Sequence, residues 1–343
     1  MKRCILFYLL FAFGVSIFWS DKLLDCIYGQ QQKLVSLEEA RKIAADFVGE
    51  EGARRMKYLG RNLRKTFPPF RMGYRFEIPS PVESQPLGVR IWVDEETGMV
   101  VELNHDIGYP EAKYRYRGLE RPKENELISE AKAIEIAKRI LVLARIPMGG
   151  IRLKSITLYH PKRDDRRYFY VLNWAKYVHV KGIGEVEFPT TISMEIDALT
   201  GELDKFLFKE FPIVLSLSPP KISKGMAIEL AKRSCKLQRI YATRAHLRIE
   251  VPVEPNWDDP REVELWANDP PQFYEKIGLK RQALVWEVVL TGEYIYPYVI
   301  LGKVPELKDA EWEGIVCAVT GRVEGRGIIP LDPNFAGFRM KRF

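Results

Sequence analysis

The chain repeats one helix-like motif three times, and each copy is followed at a distance by a Thr-Gly turn. Segments 128–139 (ISEAKAIEIAKR) and 222–233 (ISKGMAIELAKR) are identical at 8 of 12 positions, and 35–46 (VSLEEARKIAAD) keeps the Ser and two Ala residues. A strand-like run later ends in Thr-Gly in each copy, at Gly98, Gly201 and Gly321. Two landmarks in a fixed order indicate a tandem array of one structural unit.

The spacing of the copies favours domains over a solenoid. Ser36, Ser129 and Ser223 lie 93 and 94 residues apart, whereas solenoid units run about 20 to 50 residues. A unit of this length can bury its own core, and 343 residues suit three small domains. The predicted boundaries are module 1 over 30–106, a linker over 107–127, module 2 over 128–210, a linker over 211–221, module 3 over 222–329 and a tail over 330–343.

Each module is predicted to be one helix packed on a small antiparallel β-sheet, which places the chain in the α+β class. The apolar residues of 128–140 recur every three or four positions, which is typical of an amphipathic helix, and Ser129 is placed to cap it. Each strand run then closes on a turn. We assign a structural role in these turns to Asp94, Gly98, Asp197, Gly201 and Gly321, because Asp bonds the local backbone and Gly accepts positive φ.

The N-terminus predicts export across a membrane. Lys2 and Arg3 precede an apolar run from Cys4 to Trp19, the pattern of a signal peptide or N-terminal anchor within residues 1–29. The run is shorter than the roughly 20 residues that span a bilayer comfortably. Cleaved secretion, an uncleaved anchor and lipid attachment at Cys26 all remain open. We therefore expect an extracytoplasmic protein, secreted or anchored, that contacts the membrane only through this segment.

Two cysteines fall in the body of the chain, and both belong to the third repeat. Cys235 ends its helix and Cys317 lies in its last strand before the turn. In an oxidising compartment a disulfide between Cys235 and Cys317 is one reading. Two buried free thiols are the other, since Cys is commonly buried without bonding.

The repeated motif resembles a known family. A helix that opens Ile-Ser-x-x-x-Ala-x-x-x-Ala, followed by strands closing on Asp-x-x-Thr-Gly-x-[Leu/Val], is similar to the PepSY-like repeats of exported bacterial proteins, including the YcdB/YcdC type. Repeats two and three carry the resemblance best. The third copy departs from it, because Ala318-Val319-Thr320-Gly321 has no Asp at the usual place.

The resemblance implies an extracytoplasmic, non-catalytic module. Such domains accompany peptidase propeptides and envelope proteins, and are thought to bind or restrain peptidases. The implied function is therefore a binding protein of the cell envelope that is not an enzyme and has no cofactor. Its implied partner is a protein such as a peptidase. Tandem copies favour binding because they raise the effective concentration at a shared partner.

The sequence predicts no catalytic residue and no metal site. His105, His160, His179 and His246 stand apart from one another, without a metal-ligand or triad signature. Adjacent carboxylates at 94–96 are interpreted as solvated turn charges. The net charge of +7 is spread along the chain without a nucleic-acid motif, so nucleic acid is not an expected partner.

One segment, 254–275, departs from the repeat plan. It holds seven acidic residues against a single base, Arg261, with aromatic and Pro residues interleaved. Long insertions are often functional, and the candidate binding residues are Trp257, Asp258, Asp259, Trp266, Phe273 and Tyr274. If they contact a cell-wall glycan, the alternative function is a structural or glycan-binding envelope protein. The other interpretation is a lid whose aromatic residues complete the core of module 3.

Overall fold

A computed structural model of the chain describes residues 34–65, 68–79, 88–105, 123–159, 168–212, 217–251, 255–256, 258–295, 307–330 and 338–342. The predicted signal peptide or anchor at 1–29, most of the first linker and Trp257 lie outside the described residues. The domain boundaries given above stay predictions.

Three helices are each followed by four strands. The first group is α1 (Leu37–Arg55), β1 (Lys57–Leu63), β2 (Met72–Ile78), β3 (Val89–Asp94) and β4 (Val100–His105). The second is α2 (Glu130–Leu143), β5 (Ile151–Tyr159), β6 (Phe169–Val180), β7 (Gly184–Asp197) and β8 (Leu203–Glu210). The third is α3 (Lys224–Ser234), β9 (Arg239–Glu250), β10 (Ala283–Ile295), β11 (Leu307–Cys317) and β12 (Val323–Pro330).

Smaller elements lie between and after these groups. A 3₁₀ turn, Glu124–Glu126, precedes α2. The insertion in the third repeat forms α4 (Pro260–Asn268), α5 (Pro270–Phe273), a π-helical turn (Tyr274–Gly278) and a 3₁₀ turn (Leu279–Arg281). The predicted tail contributes β13 (Phe338–Arg342), which pairs with β5.

The repeated serines begin the three helices. The side chains of Ser36, Ser129 and Ser223 each accept a hydrogen bond, at 3.2 Å, from the backbone N–H three residues later. This bond satisfies one of the donors that the first turn of a helix leaves without a partner. The conserved spacing of the serines in the sequence therefore sets the starting points of α1, α2 and α3.

The Thr-Gly turns have the geometry expected from their residues, but the prediction of solvated charges at 94–96 is wrong for Asp94 and Glu95, which are 2% and 5% exposed. One carboxylate oxygen of Asp94 accepts from the backbone N–H groups of Glu96 and Thr97 at 3.1 and 2.8 Å, and Asp197 does the same in the second repeat. The glycines that follow have φ of 67°, 75° and 74° at Gly98, Gly201 and Gly321. This left-handed conformation favours Gly, which has no Cβ.

The prediction of three separate helix-on-sheet modules is wrong. The thirteen strands of the described residues belong to one sheet, which runs β1-β2-β3-β4-β8-β7-β9-β10-β11-β12, with β6, β5 and β13 branching from β7. An antiparallel pairing of β4 with β8 joins the first two repeats. A short parallel pairing of β7 with β9 joins the third and makes the sheet mixed. The repeats end on strands with free edges, and pairing those edges satisfies backbone groups that small separate sheets would leave exposed.

The hydrophobic core also crosses the repeat boundary. Ile43 of α1, Leu141 of α2, Phe76 of β2 and Phe206 of β8 belong to one buried cluster that serves repeats one and two together. A second cluster lies mainly in repeat three, where it includes Phe273 and Val288, and it also takes in Val186 of β7 and Phe211. Among the described residues, no helix combines the length and apolar character needed to cross a membrane.

Candidate functional site

A cluster of charged side chains lies on the face of the sheet opposite α3. Along β9, Ala245, Leu247 and Ile249 belong to the core under α3. Side chains alternate between the two faces of a strand, so His246 and Arg248 point to the opposite face. Val186 of β7 and Trp286 of β10 are also core residues, which places Glu187 and Glu287 on that same face.

Glu187 is the centre of the first half of the cluster. Its Oε2 lies 2.6 Å from His246 Nε2 and accepts a hydrogen bond from the Tyr177 hydroxyl at 3.2 Å. Lys154 Nζ donates to both carboxylate oxygens at 3.2 and 3.3 Å. Glu187 is only 7% exposed, so these three partners replace the water that the carboxylate has lost.

Glu287 is the centre of the second half. It is 1% exposed, and Lys154 Nζ lies 2.8 and 3.0 Å from its two oxygens. Arg248 also donates to Glu287 and reaches Glu250 at 2.7 Å. We call the six residues Lys154, Tyr177, Glu187, His246, Arg248 and Glu287 the charged seam, because they join side chains from repeats two and three.

The contact between Lys154 and Glu287 requires a strongly curled sheet. Lys154 lies on β5 and Glu287 on β10, and the order β5-β6-β7-β9-β10 separates these strands by four steps. Neighbouring strands lie about 4.8 Å apart, so a flat sheet would hold the two backbones about 19 Å apart. The branch containing β5 and β6 therefore curls over the third repeat. Lys154 lies at a register shift in the β5–β6 pairing, where a strand bends.

The electrostatics of the seam keep both carboxylates ionised. Burial alone raises the pKa of Glu287, but Lys154 and Arg248 outweigh it and hold the pKa at about 2. The pKa of Glu187 is likewise below its ordinary value, since its hydrogen bond to His246 and the charge of Lys154 overcome the effect of burial. The pKa of Tyr177 is raised, by burial first and then by Glu187, so its hydroxyl remains protonated as a donor.

The arrangement has the residue types of a metal or acid–base site. One ligand atom from each of Glu187, His246 and Glu287 lies within 4.8 Å of the other two, and imidazole with carboxylates is a donor set that divalent metals accept. Two cations of the protein, Lys154 and Arg248, are already bound to the same carboxylates. The geometry is therefore that of an ion-pair network whose charges are internally balanced.

The residues proposed from the acidic insertion do not form one exposed surface. Phe273 and Tyr274 are buried in the core of repeat three, at 0% and 8% exposure. Tyr274 stacks on Phe70 with ring centroids 5.3 Å apart, and its hydroxyl accepts a hydrogen bond from the Trp266 indole N–H. Trp266 is partly buried against the same core. This placement matches the lid interpretation for these three residues.

The two aspartates of the insertion have different environments. Asp258 is exposed. Asp259 is the N-cap of α4, because its side chain accepts from the backbone N–H of Arg261 at 3.0 Å. The buried Glu262 binds the Asn256 backbone and Arg281, which fixes the start of the insertion. A contact between this segment and a partner stays a prediction, and Asp258 is the described candidate residue available for it.

The two cysteines of the third repeat form no disulfide with each other. Cys235 and Cys317 are both free thiols with partial exposure. The Cys235 thiol lies 3.3 Å from the Lys232 carbonyl, where it donates a hydrogen bond. Of the two readings left open by the sequence, the pair of free thiols is the one that the structure has.

Sequence reasoning missed the charged seam. The four histidines appeared isolated, yet His246 lies against a carboxylate 59 residues earlier in the chain. His179 is exposed on β6. A usable signal was present, since Glu187, Arg248 and Glu287 each stand inside a strand among apolar residues. A charge at such a position needs a buried partner.

Comparisons with known proteins assign no family to the chain. No model of a known family and no curated protein matches the chain. The Bacillus megaterium YpeB C-terminal domain is 15% identical, with a TM-score of 0.46 over 85% of this chain and 98% of that one. An uncharacterized protein from Eubacterium rectale is 9% identical, with a TM-score of 0.36 over 85% of this chain and 84% of that one. Neither is described as an enzyme, and TM-scores this low carry no argument about function. The likeness to PepSY-like repeats thus stays a resemblance.

Proposed function

We propose that the chain is a non-catalytic binding protein that acts outside the cytoplasm, in the cell envelope. The basic residues Lys2 and Arg3 followed by the apolar run to Trp19 support export. The resemblance to PepSY-like repeats supports a protein partner, and a peptidase is the partner class that it suggests.

The observation that carries the non-catalytic reading is the internal pairing of the charged seam. An acid–base pair or a metal site needs groups that remain available to a substrate or an ion. In the seam, Lys154 and Arg248 occupy Glu287, and Lys154, Tyr177 and His246 occupy Glu187. These ion pairs attach the third repeat to the second. We therefore assign partner binding to the exposed surface of the molecule.

The proposal is tested by recovering partners from an envelope extract with the full chain. A second bait carries Asp258→Lys and Glu264→Lys, two exposed acidic residues of the insertion that leave its buried aromatic core intact. A third bait carries Asp46→Lys and Glu324→Lys, which make the same charge change at exposed positions elsewhere.

We expect a protein, such as a peptidase, to be recovered by the full chain and by the third bait. Its loss from the second bait would place the contact on the insertion. Recovery of cell-wall material without any protein would support the glycan-binding alternative. Hydrolysis of a peptide or glycan by the purified chain, lost on mutation of a seam residue, would overturn the non-catalytic proposal.

A further inference from the structure

Strand β1 ends the long sheet and offers an unusual surface. Within the described part of the chain it pairs with β2 alone, so its outer backbone edge has no strand beside it. Six of its seven residues are exposed, and the seventh is Gly60. Both faces and one edge of this strand are therefore open to the surroundings.

The charge of this strand has a single sign. Residues 54–65 (RRMKYLGRNLRK) contain six basic residues and no acidic one. Three of the six are paired, Arg54 with Glu50, Arg61 with Glu95 and Arg64 with Glu102. Arg55 donates to the Pro79 carbonyl, Lys57 is exposed at the start of the strand, and Lys65 is exposed just beyond its end. The segment therefore carries an excess of positive charge, with Glu77 opposite Lys57 in the strand pairing.

Exposed apolar side chains stand among these charges. Tyr58, Leu59 and Leu63 are 37%, 44% and 37% exposed, and Leu34 is 50% exposed. Leu59 is the extra residue at the register shift of β1, between Tyr58 and Gly60, so it has no partner across the strand pair. Exposed aliphatic and aromatic tips among Lys and Arg residues are typical of a protein surface that lies at a lipid interface.

This surface lies beside the point where the N-terminal segment enters the fold. The Val35 N–H donates to the Glu95 carbonyl at 2.8 Å, and Arg61 of β1 binds the Glu95 carboxylate through two hydrogen bonds of 2.5 and 2.8 Å. Only 14 residues separate Trp19, the end of the apolar run, from Leu34. Fourteen residues span at most about 50 Å, so an inserted N-terminal run would keep β1 close to the bilayer.

We propose that β1, with Leu34, forms a second membrane contact that rests on an anionic lipid surface. The exposed side chains of Lys57 and Lys65 face lipid phosphates, and the exposed apolar tips enter the headgroup layer. Lys and Arg side chains near an anionic leaflet add to the attachment that an N-terminal anchor provides. The inference rests on the proposed export with the N-terminal run kept as an uncleaved anchor. It differs from the sequence expectation, which limited membrane contact to the N-terminal segment.

A peptide strand is the rival occupant of the same edge. Open edges accept extended peptides, but the irregular register of β1 and its basic residues are features that discourage strand pairing. The apolar tips on both sides of the strand also fit a flat, deformable surface better than one added strand. We therefore commit to lipid, and an acidic peptide becomes an outcome of the test.

The test measures amide hydrogen exchange of the full chain reconstituted through its N-terminus into vesicles. Neutral phosphatidylcholine vesicles are compared with vesicles containing about 30% phosphatidylglycerol. Each Lys or Arg near an anionic surface contributes about fivefold in binding, so we expect the amides of 57–63 to exchange at least about fivefold more slowly on anionic vesicles. Raising the salt to 0.5 M should remove the difference, because it shortens electrostatic range.

Two variants complete the design. Lys57→Glu with Lys65→Glu should abolish the difference, whereas Lys138→Glu with Arg139→Glu, exposed on α2, should preserve it. Equal exchange on both vesicle types, or equal loss in both variants, would overturn the proposal. Protection by an acidic peptide and not by lipid would replace it with peptide binding. Partner recovery plays no part in this readout, so its outcome is separable from that of the proposed function.

Discussion

The third repeat replaces a carboxylate with a thiol at an equivalent position. The backbone N–H of the turn glycine donates to the carbonyl of Asp94, Asp197 or Cys317 in the three repeats, each at 2.9 Å. Burial raises the pKa of the Cys317 thiol, but hydrogen bonds from Thr320 and from the backbone of Thr320 and Val319 outweigh it and leave the pKa below its ordinary value. Sulfur therefore accepts the bonds that Asp accepts in the other two turns.

We expect Cys317→Asp to retain the stability of the turn and Cys317→Ala to lose it. Alanine removes the acceptor for the turn donors, at a cost of about 1 kcal/mol, while Asp restores the acceptor present in the other repeats. Urea unfolding at pH 7 measures both, with Cys235→Ala as the control, since that thiol is a donor at a helix end. Equal destabilisation by Ala and Asp would contradict the equivalence.

At the scale of elements, the insertion of the third repeat is part of its core. Phe273 and Tyr274 contact each other and Tyr274 packs on Phe70 and Phe211, so the insertion bridges distant parts of the chain. The acidic residues around them are held by capping and ion pairs at Asp259 and Glu262. The insertion thus acts as a lid in the fold, with a charged outer surface.

Phe273→Ala should destabilise the third repeat by about 3–5 kcal/mol, because it empties a fully buried aromatic site. Asp258→Asn, on the exposed side of the same insertion, should change stability by less than about 0.5 kcal/mol. Thermal unfolding followed by tryptophan fluorescence checks both variants. A small effect of Phe273→Ala would mean that the insertion folds independently of the core.

Local elements were predictable and their assembly was not. The cap at Ser129 and the Thr-Gly turns follow from residues close together in the sequence, and the structure confirms them. The joins of β4 with β8 and β7 with β9 involve backbone edges, which carry no side-chain signal. The charged seam depends on those joins, because they bring Glu187, His246 and Glu287 together.

At the scale of the whole molecule, a short strand pairing joins repeats one and two to repeat three within one sheet. β7 and β9 pair at two positions, Val186 with Leu247 and Glu187 with Arg248. The charged seam lies beside this short join, and Lys154 bridges from repeat two to Glu287 in repeat three. Val186 and Phe211 belong to the core of repeat three, so apolar contacts also cross this join. The ion pairs add to these contacts in attaching the third repeat.

The seam predicts loss of stability in acid. The pKa of Glu287 falls from about 4.5 to about 2 on folding, so its contribution is full above pH 4.5 and is lost as the pH falls through 2. The shift corresponds to about 3 kcal/mol. Glu287→Gln should be less stable at pH 7 and should show a flatter decline between pH 4.5 and 2 in urea unfolding. Glu324→Gln, an exposed control, should follow the unmodified chain.

The ion pair between Lys154 and Glu287 should couple the stabilities of repeats two and three. Lys154→Met leaves the buried Glu287 carboxylate with less compensation, and Glu287→Met leaves Lys154 with Glu187 and Arg248 with Glu250 as their remaining partners, so each change should cost about 3–5 kcal/mol. The double variant Lys154→Met with Glu287→Met removes both charges and should recover about 1–3 kcal/mol of the summed loss.

Hydrogen exchange in increasing urea separates this coupling from a purely local effect. In the unmodified chain, β2–β4 and β9–β11 should open together, because the seam and the β7–β9 join hold the sheet as one unit. In Lys154→Met, β9–β11 should open at lower urea than β2–β4, and the double variant should restore part of the common transition. Strictly additive losses, with both regions opening together in every variant, would contradict this prediction. They would show that the third repeat stays attached to the second without the charged seam.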